Sequence, residues 1–293
     1  MFGDQRAVIV AEGGGLRTYS CGTRELLDGF GAGEPVGSGR GQVLIPWPNR
    51  LEDGRYEFDG RRYQLPLNEP EHQNAIHGLV RGAAWTVGEH KAHRVVMEHL
   101  LEPQPGYPFA LALELDYALS PAGLAVRTTA RNAGPTPLPF GAGQHPYFTV
   151  GTARVDDALL RLPARSYLTT DDRLIPTGRA PVAGTGFDFQ AERPIGDARL
   201  DTCFTDLRAD VDGRVRVALS HPVGAPRLTI ALDAAYRFVQ AYTGDSLPEE
   251  AGRRRGIAIE PMTCAPNAFN SGDGLRVLGP GETFTAVWTA SVT

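Results

Sequence analysis

Apolar and polar side chains alternate along much of this chain with a period of two. Leu111, Leu113, Leu115 and Tyr117 take turns with Ala112, Glu114 and Asp116. Leu124, Val126, Thr128 and Ala130 repeat the pattern, as do Val215, Val217 and Leu219, then Leu228, Ile230 and Leu232. Phe284, Ala286, Trp288, Ala290 and Val292 follow the same rule. Successive side chains of a strand point to opposite faces, so the pattern predicts antiparallel strands with one face buried and one wet. Asp28-Gly29, Asp53-Gly54, Asp59-Gly60, Asp212-Gly213 and Asp273-Gly274 punctuate the runs with turn chemistry. No 3.6-residue apolar stripe is sustained, so helices should be few and short. The Gly- and Pro-rich patches at 29–41 and 132–143 are short and begin no shift in composition. The expected fold is all-β, one large antiparallel β-sandwich domain over residues 1–293.

Charge and composition remove several function classes. The chain has 29 Lys and Arg against 34 Asp and Glu, a net charge of −5, and no basic stripe interleaved with aromatics. Nucleic acid is therefore not an expected partner. The cluster Arg253-Arg254-Arg255, flanked by Gly252 and Gly256, reads as a solvated turn. Cys21, Cys203 and Cys264 are far apart and odd in number, which suits a reducing cytoplasm better than a disulfide framework or zinc site. The early apolar run, Ala7 to Ala11, is too short for a signal peptide, and nothing approaches a membrane span. A cytoplasmic protein is expected. Lys91 is the sole lysine, so neither a P-loop nor lysine-based carbonyl chemistry is expected. The glycines of "EGGGLRTYSCG" precede no amphipathic helix and make a weak dinucleotide signal. The spacings of His72, His77, His90, His93 and His99 fit no zinc pattern. No cofactor and no metal are expected.

Candidate chemistry lies where stiff backbone carries polar side chains. In "PWPNRLEDGRYEFDGRRYQLPLNEP", Pro46 and Pro48 fix an extended corner directly before Asn49 and Arg50. A tight hairpin about Asp59-Gly60 follows, with Tyr56 and Phe58 on one arm and Tyr63 and Leu65 on the other. His77 follows Ala75-Ile76, His145 precedes Pro146, and Asp201 leads into small and apolar residues. Glu260 ends the run Ile257-Ala258-Ile259 just before Pro261; a carboxylate there should be poorly solvated and its pKa raised. Each residue also fits a plain structural role: a hydrogen-bonded histidine, an Asx turn, a strand-end surface group.

Several of these stretches resemble the aldose 1-epimerase (galactose mutarotase) family: "PWPNR", "DGRYEFDGRRYQLPLNE", "NAIHGLVR", "HPYF", "LDTCF", "VQAYTGD" and "IEPMTCAPNAFNSGDGL", in that order. The resemblance covers the chain from about Gly13 onward. It implies a single large β-sandwich and interconversion of the α and β anomers of a free aldose, such as glucose or galactose. It further implies that His145 is the general acid and Glu260 the general base. Asn49, Arg50, His77, Asp201 and Gln240 would hold sugar hydroxyls. Opening a sugar ring needs a proton delivered to the ring oxygen and one taken from the C1 hydroxyl, so an acid and a base suffice. The run after Glu260 differs from that of the members best known for galactose, so the sugar's identity is not implied. Two other classes fit a sandwich with these residues: a glycoside hydrolase using Asp201 and Glu260 as a carboxylate pair, and a non-catalytic carbohydrate-binding module. The second would want exposed aromatic platforms, whereas Trp47, Trp85 and Trp288 read as core.

Overall fold

The alternating segments do pair as antiparallel strands. Leu111–Ser120 lies between Arg94–Leu101 and Gly123–Asn132 in full register, and it buries Leu111, Leu113, Leu115, Tyr117 and Leu119. In a computed structural model describing residues 1–34 and 36–293, two large sheets form a sandwich. One has nine strands in the order 193–194, 159–161, 215–221, 224–232, 283–292, 123–132, 111–120, 94–101 and 86–91. The other follows 176–181, 164–170, 201–207, 238–242, 257–262, 143–144 and 43–44, with 147–148 also pairing to 257–262. Their inner faces meet where Trp288 of the first sheet donates its indole N–H to Gln144 Oε1 of the second at 2.7 Å. Trp47, Trp85 and Trp288 are all buried, as expected. Among the described residues the one α-helix is Ala268–Ser271, and no helix is long and apolar enough to cross a membrane.

The hairpin about Asp59-Gly60 forms as predicted: Tyr56 faces Tyr63, Phe58 faces Arg61, and both turn residues have positive φ. That geometry matches the twist of the flanking strands. Two expectations need correcting. Glu260 does not end its strand, because Ile257–Met262 runs on through Pro261 and places Glu260 opposite Gln240. Proline is tolerated there because the neighbouring chain on the other side is interrupted between Gln144 and Tyr147, so no donor is called for. Residues 253–255 do form a turn with Arg253 and Arg255 exposed, but the middle arginine is not solvated. Arg254 is buried, ion-paired to Asp245 at 2.7 Å and Asp156 at 3.0 Å, and donates to the carbonyls of Ala198 and Gly196.

Candidate active site

The second sheet supplies the floor of the site. Glu260 stands on a strand whose six residues are all buried, with Gln240 beside it on the next strand and Cys203 beyond. Asp201 starts the strand Asp201–Leu207 and pairs with Tyr242. His145 sits where the chain passes from Gly143–Gln144 to Tyr147–Phe148 along that same sheet. Side chains on a paired strand are fixed by its register, so these groups inherit the stiffness of the sheet.

Loops supply the walls. Asn49 and His77 both have left-handed backbones, φ 58° and 65°, a region few side chains other than those of Asn, Asp and His enter. They lock together: His77 N–H donates to the Asn49 carbonyl at 3.0 Å, and Asn49 N–H donates to His77 Nδ1 at 3.2 Å. Because Nδ1 accepts a hydrogen bond, neutral His77 carries its proton on Nε2, as a donor. Burial above all, then His145, Arg81 and Arg50, holds His77 well below the usual histidine range, so it stays neutral. Asn49 Oδ1 in turn accepts the Arg50 N–H at 2.8 Å.

Arg50 is held from the far side by Glu69, a residue the sequence reading overlooked. Arg50 Nε lies 3.0 Å from both Glu69 oxygens and a terminal nitrogen lies 2.9 Å from Oε1. Asn74 donates to Glu69 Oε2 at 3.0 Å, so that carboxylate is itself fixed. The same guanidinium is 3.7 Å from Asp201 Oδ2. The clue was in the quoted stretch: Glu69 stands just before Pro70 in the segment that begins at Pro46.

These parts enclose a cavity of about 620 Å³ lined by Asn49, Arg50, His77, His145, Asp201 and Glu260. Gln240 is placed differently from the other predicted residues. It lies beneath the cavity and donates from Nε2 to Asp201 Oδ1 at 2.6 Å. Gln42, Glu69, Arg81, Tyr147 and Tyr242 also line the space. Of these, all but Gln42 lie within the quoted motifs: Glu69 ends "DGRYEFDGRRYQLPLNE", Arg81 ends "NAIHGLVR", Tyr147 is in "HPYF" and Tyr242 in "VQAYTGD".

The pair at the centre is His145 Nε2 and Glu260 Oε1, 3.3 Å apart and both buried. Tyr147 stacks on the imidazole at 5.0 Å and 17°, while His77 meets it edge-on at 5.3 Å. Gly39 closes over the ring: a Cβ at that position, where φ is +74°, would lie 3.0 Å from His145 Cδ2. Burial raises the Glu260 carboxyl well above its ordinary range; Asp201 adds to this and Arg50 opposes it. Burial also brings His145 down to about 3, with Arg40 and Arg81 pushing the same way. The raised carboxyl agrees with the sequence reading; a depressed imidazole was not anticipated there. Both shifts favour the neutral forms, a protonated Glu260 carboxyl and an uncharged His145 imidazole. Among the described residues no three His, Cys, Asp or Glu side chains converge so as to hold a metal ion.

Comparison with known proteins bears on the fold and the family. The aldose 1-epimerase family model matches residues 3–291. The uncharacterized protein YihR of Escherichia coli K12 is 36% identical over 281 residues, covering 96% of this chain and 88% of that protein. Rattus norvegicus galactose mutarotase is 34% identical over 166 residues, 53% of this chain and 46% of that one. Among solved structures, a Caenorhabditis elegans GalM/aldose epimerase homologue superposes with a TM-score of 0.90 at 19% identity, over 100% of this chain and 97% of that one. Galactose 1-epimerase from Lactobacillus acidophilus gives 0.84 at 21% identity, over 99% and 91%. At such identities the structural matches speak for the fold.

Proposed function

This chain belongs to the aldose 1-epimerase family, and we propose that it interconverts the anomers of a free aldose, with His145 and Glu260 as the proton-transfer pair. The observation that carries this is their 3.3 Å contact on the floor of a cavity ringed by hydroxyl-binding groups. Asp201 and the Arg50 guanidinium offer an acceptor and a donor to neighbouring hydroxyls, and His77 Nε2–H a further donor.

The neutral resting pair holds the one proton that ring opening needs. A C1 hydroxyl donating to Glu260 stabilises the carboxylate, whose buried Oε2 has no hydrogen-bond partner within the protein. A ring oxygen placed at His145 Nε2 stabilises the N–H there. Substrate thus favours moving the proton from Glu260 to His145 and converts a neutral pair into an acid and a base. His145 then protonates the ring oxygen as Glu260 takes the C1 proton, and the C1–ring-oxygen bond opens to the aldehyde. Rotation about C1–C2 and closure by the reverse transfers give the other anomer and restore the pair. Residues of this chain suffice for every step, so we assign no cofactor.

Polarimetry on freshly dissolved single anomers across a panel of aldoses tests this. The protein should speed equilibration and leave the final rotation unchanged. His145→Ala and Glu260→Gln should each lower kcat by at least about 10²-fold. Wild-type rates in either variant, or no sugar accelerated over buffer, would refute the proposal. Release of reducing sugar from aryl glycosides would instead support hydrolysis by the carboxylate pair.

A further inference from the structure

Against the Tyr147 ring lies a charged assembly the proposed chemistry does not use. The Arg40 guanidinium carbon stands 4.7 Å from the centre of the Tyr147 ring. Arg40 is buried, donates to Asp28 Oδ2 at 2.9 Å and the Asp28 carbonyl at 3.1 Å, and donates to the Ala251 carbonyl at 2.7 Å. Arg255 holds the other Asp28 oxygen. Two segments that border the cavity, one through Ser38 and Gly39 and one through Ser246 and Leu247, are therefore tied together at this point. The backbone around Arg40 also grips His145 directly: Gly41 N–H donates to its carbonyl at 2.9 Å, and its N–H donates to the Gln42 carbonyl at 3.0 Å.

We propose that Arg40 is a positioning residue for His145, pressing Tyr147 flat against the imidazole and so fixing the plane in which His145 exchanges its proton. Tyr147 touches both groups: the guanidinium lies over its ring and the imidazole stacks on it. A cation over an aromatic face is favourable, and Arg presents a planar face that Lys lacks. Arg40 does not line the cavity, so its effect reaches substrate only through Tyr147 and His145. The role in turnover rests on the epimerase reading above; the coupling of Arg40 to His145 does not.

Arg40→Met tests it. The change keeps an unbranched stem, and Asp28 keeps Arg255, so no carboxylate is left buried alone. The charged and titratable groups facing His145 are Glu260, His77, Tyr147, Arg81 and Arg40. Removing one positive charge from that set favours imidazolium. The His145 ring resonance, followed by NMR in the intact protein, should titrate at higher pH than in wild type. In polarimetry kcat should fall by about tenfold or more, while KM changes by less than about twofold. With Tyr147→Leu as background, adding Arg40→Met should lower kcat little further, because the intermediary is already gone. An unmoved His145 titration, a rise in KM alone, or losses that multiply in the double variant would each overturn the proposal. If Arg40→Met does not fold, Arg40→Lys is read by kcat and KM alone, since it keeps the charge and loses only the planar stack: kcat should still fall with KM little changed, and unchanged kcat would overturn the proposal. A wild-type protein inactive on every aldose would reject the epimerase reading, and the NMR titration would still decide the coupling.

Discussion

Replacing Glu260 by Gln should expose a pH dependence of stability that the wild-type pair conceals. In the unfolded chain a histidine near 6.5 and a glutamate near 4.5 leave, between those values, one protonated imidazole and one ionised carboxylate. In the folded protein burial favours a protonated Glu260 and a neutral His145. Both states bind one proton, so the pair adds no slope to stability from pH 4.5 to 6.5. In Glu260→Gln only His145 remains, with its folded value down at about 3. The unfolded chain then binds the extra proton, so stability rises with pH at about 1.4 kcal/mol per unit. The slope halves by pH 6.5, where the unfolded histidine is itself half deprotonated, so across those two units the difference between variant and wild type should grow by about 2.3 kcal/mol. His145→Gln should show the opposite sign. With only the raised Glu260 left, stability is full below the ordinary carboxylate range and falls as pH rises above it. Urea denaturation of the three proteins at pH 4.5, 5.5 and 6.5, with slopes compared to confirm the same surface exposed, measures this. Taking differences from wild type cancels the other titrating groups. If both differences stay flat across the range, the folded pair is ionic and the neutral resting state is refuted.

Three further outcomes follow from the geometry. Glu69→Gln removes the fork that aims Arg50 and leaves a buried guanidinium without its main partner; it should cost about 3 kcal/mol in unfolding free energy and raise KM. Gln240→Met should leave the melting temperature nearly unchanged, since it also removes the buried Oε1 that has no partner. It frees Asp201 and should raise KM by about tenfold, the worth of one hydrogen bond to a charged group. Neutral aldoses should surpass their 6-phosphates in kcat/KM, because Arg50 is committed to Glu69 and only Arg81 among the cavity's cations is left to face a dianion; a higher value for the phosphorylated sugar would reverse that ranking.

Local patterning made the sheets legible. Strands such as Leu111–Ser120 bury every second residue, and the turn at Asp59-Gly60 needs only its own two residues. The family motifs made most of the site legible too, and Asn49, Arg50, His77, His145, Asp201 and Glu260 do converge on one cavity. What escaped depends on distant partners. Arg254 reads as solvent-exposed until Asp156, 98 residues earlier, is folded against it. Glu69 looks like part of a turn until Arg50 and Asn74 converge on it. Pro261 reads as a strand terminator, because the gap in the neighbouring chain that accommodates it is a property of the sheet. The depressed pKa of His145 likewise needs three dimensions, since its first cause is burial.

The division between sheet-borne floor and loop-borne walls has a consequence for how this scaffold could diversify. Glu260, Gln240 and Asp201 are set by strand pairing, and shifting a strand by one residue would turn its side chains to the opposite face. Ser38, Gly39, Ser246 and Leu247 stand on connecting segments, which accept substitution and changes of length far more readily. Selection for a new sugar therefore has a permissive region and a forbidding one. Libraries confined to 36–38 and 246–247 should yield altered substrate ranges in folded, active protein, whereas libraries of the same size along 257–262 should return mostly inactive chains. Under the proposed chemistry, proton transfer belongs to the sheet and sugar preference to the loops that change more freely.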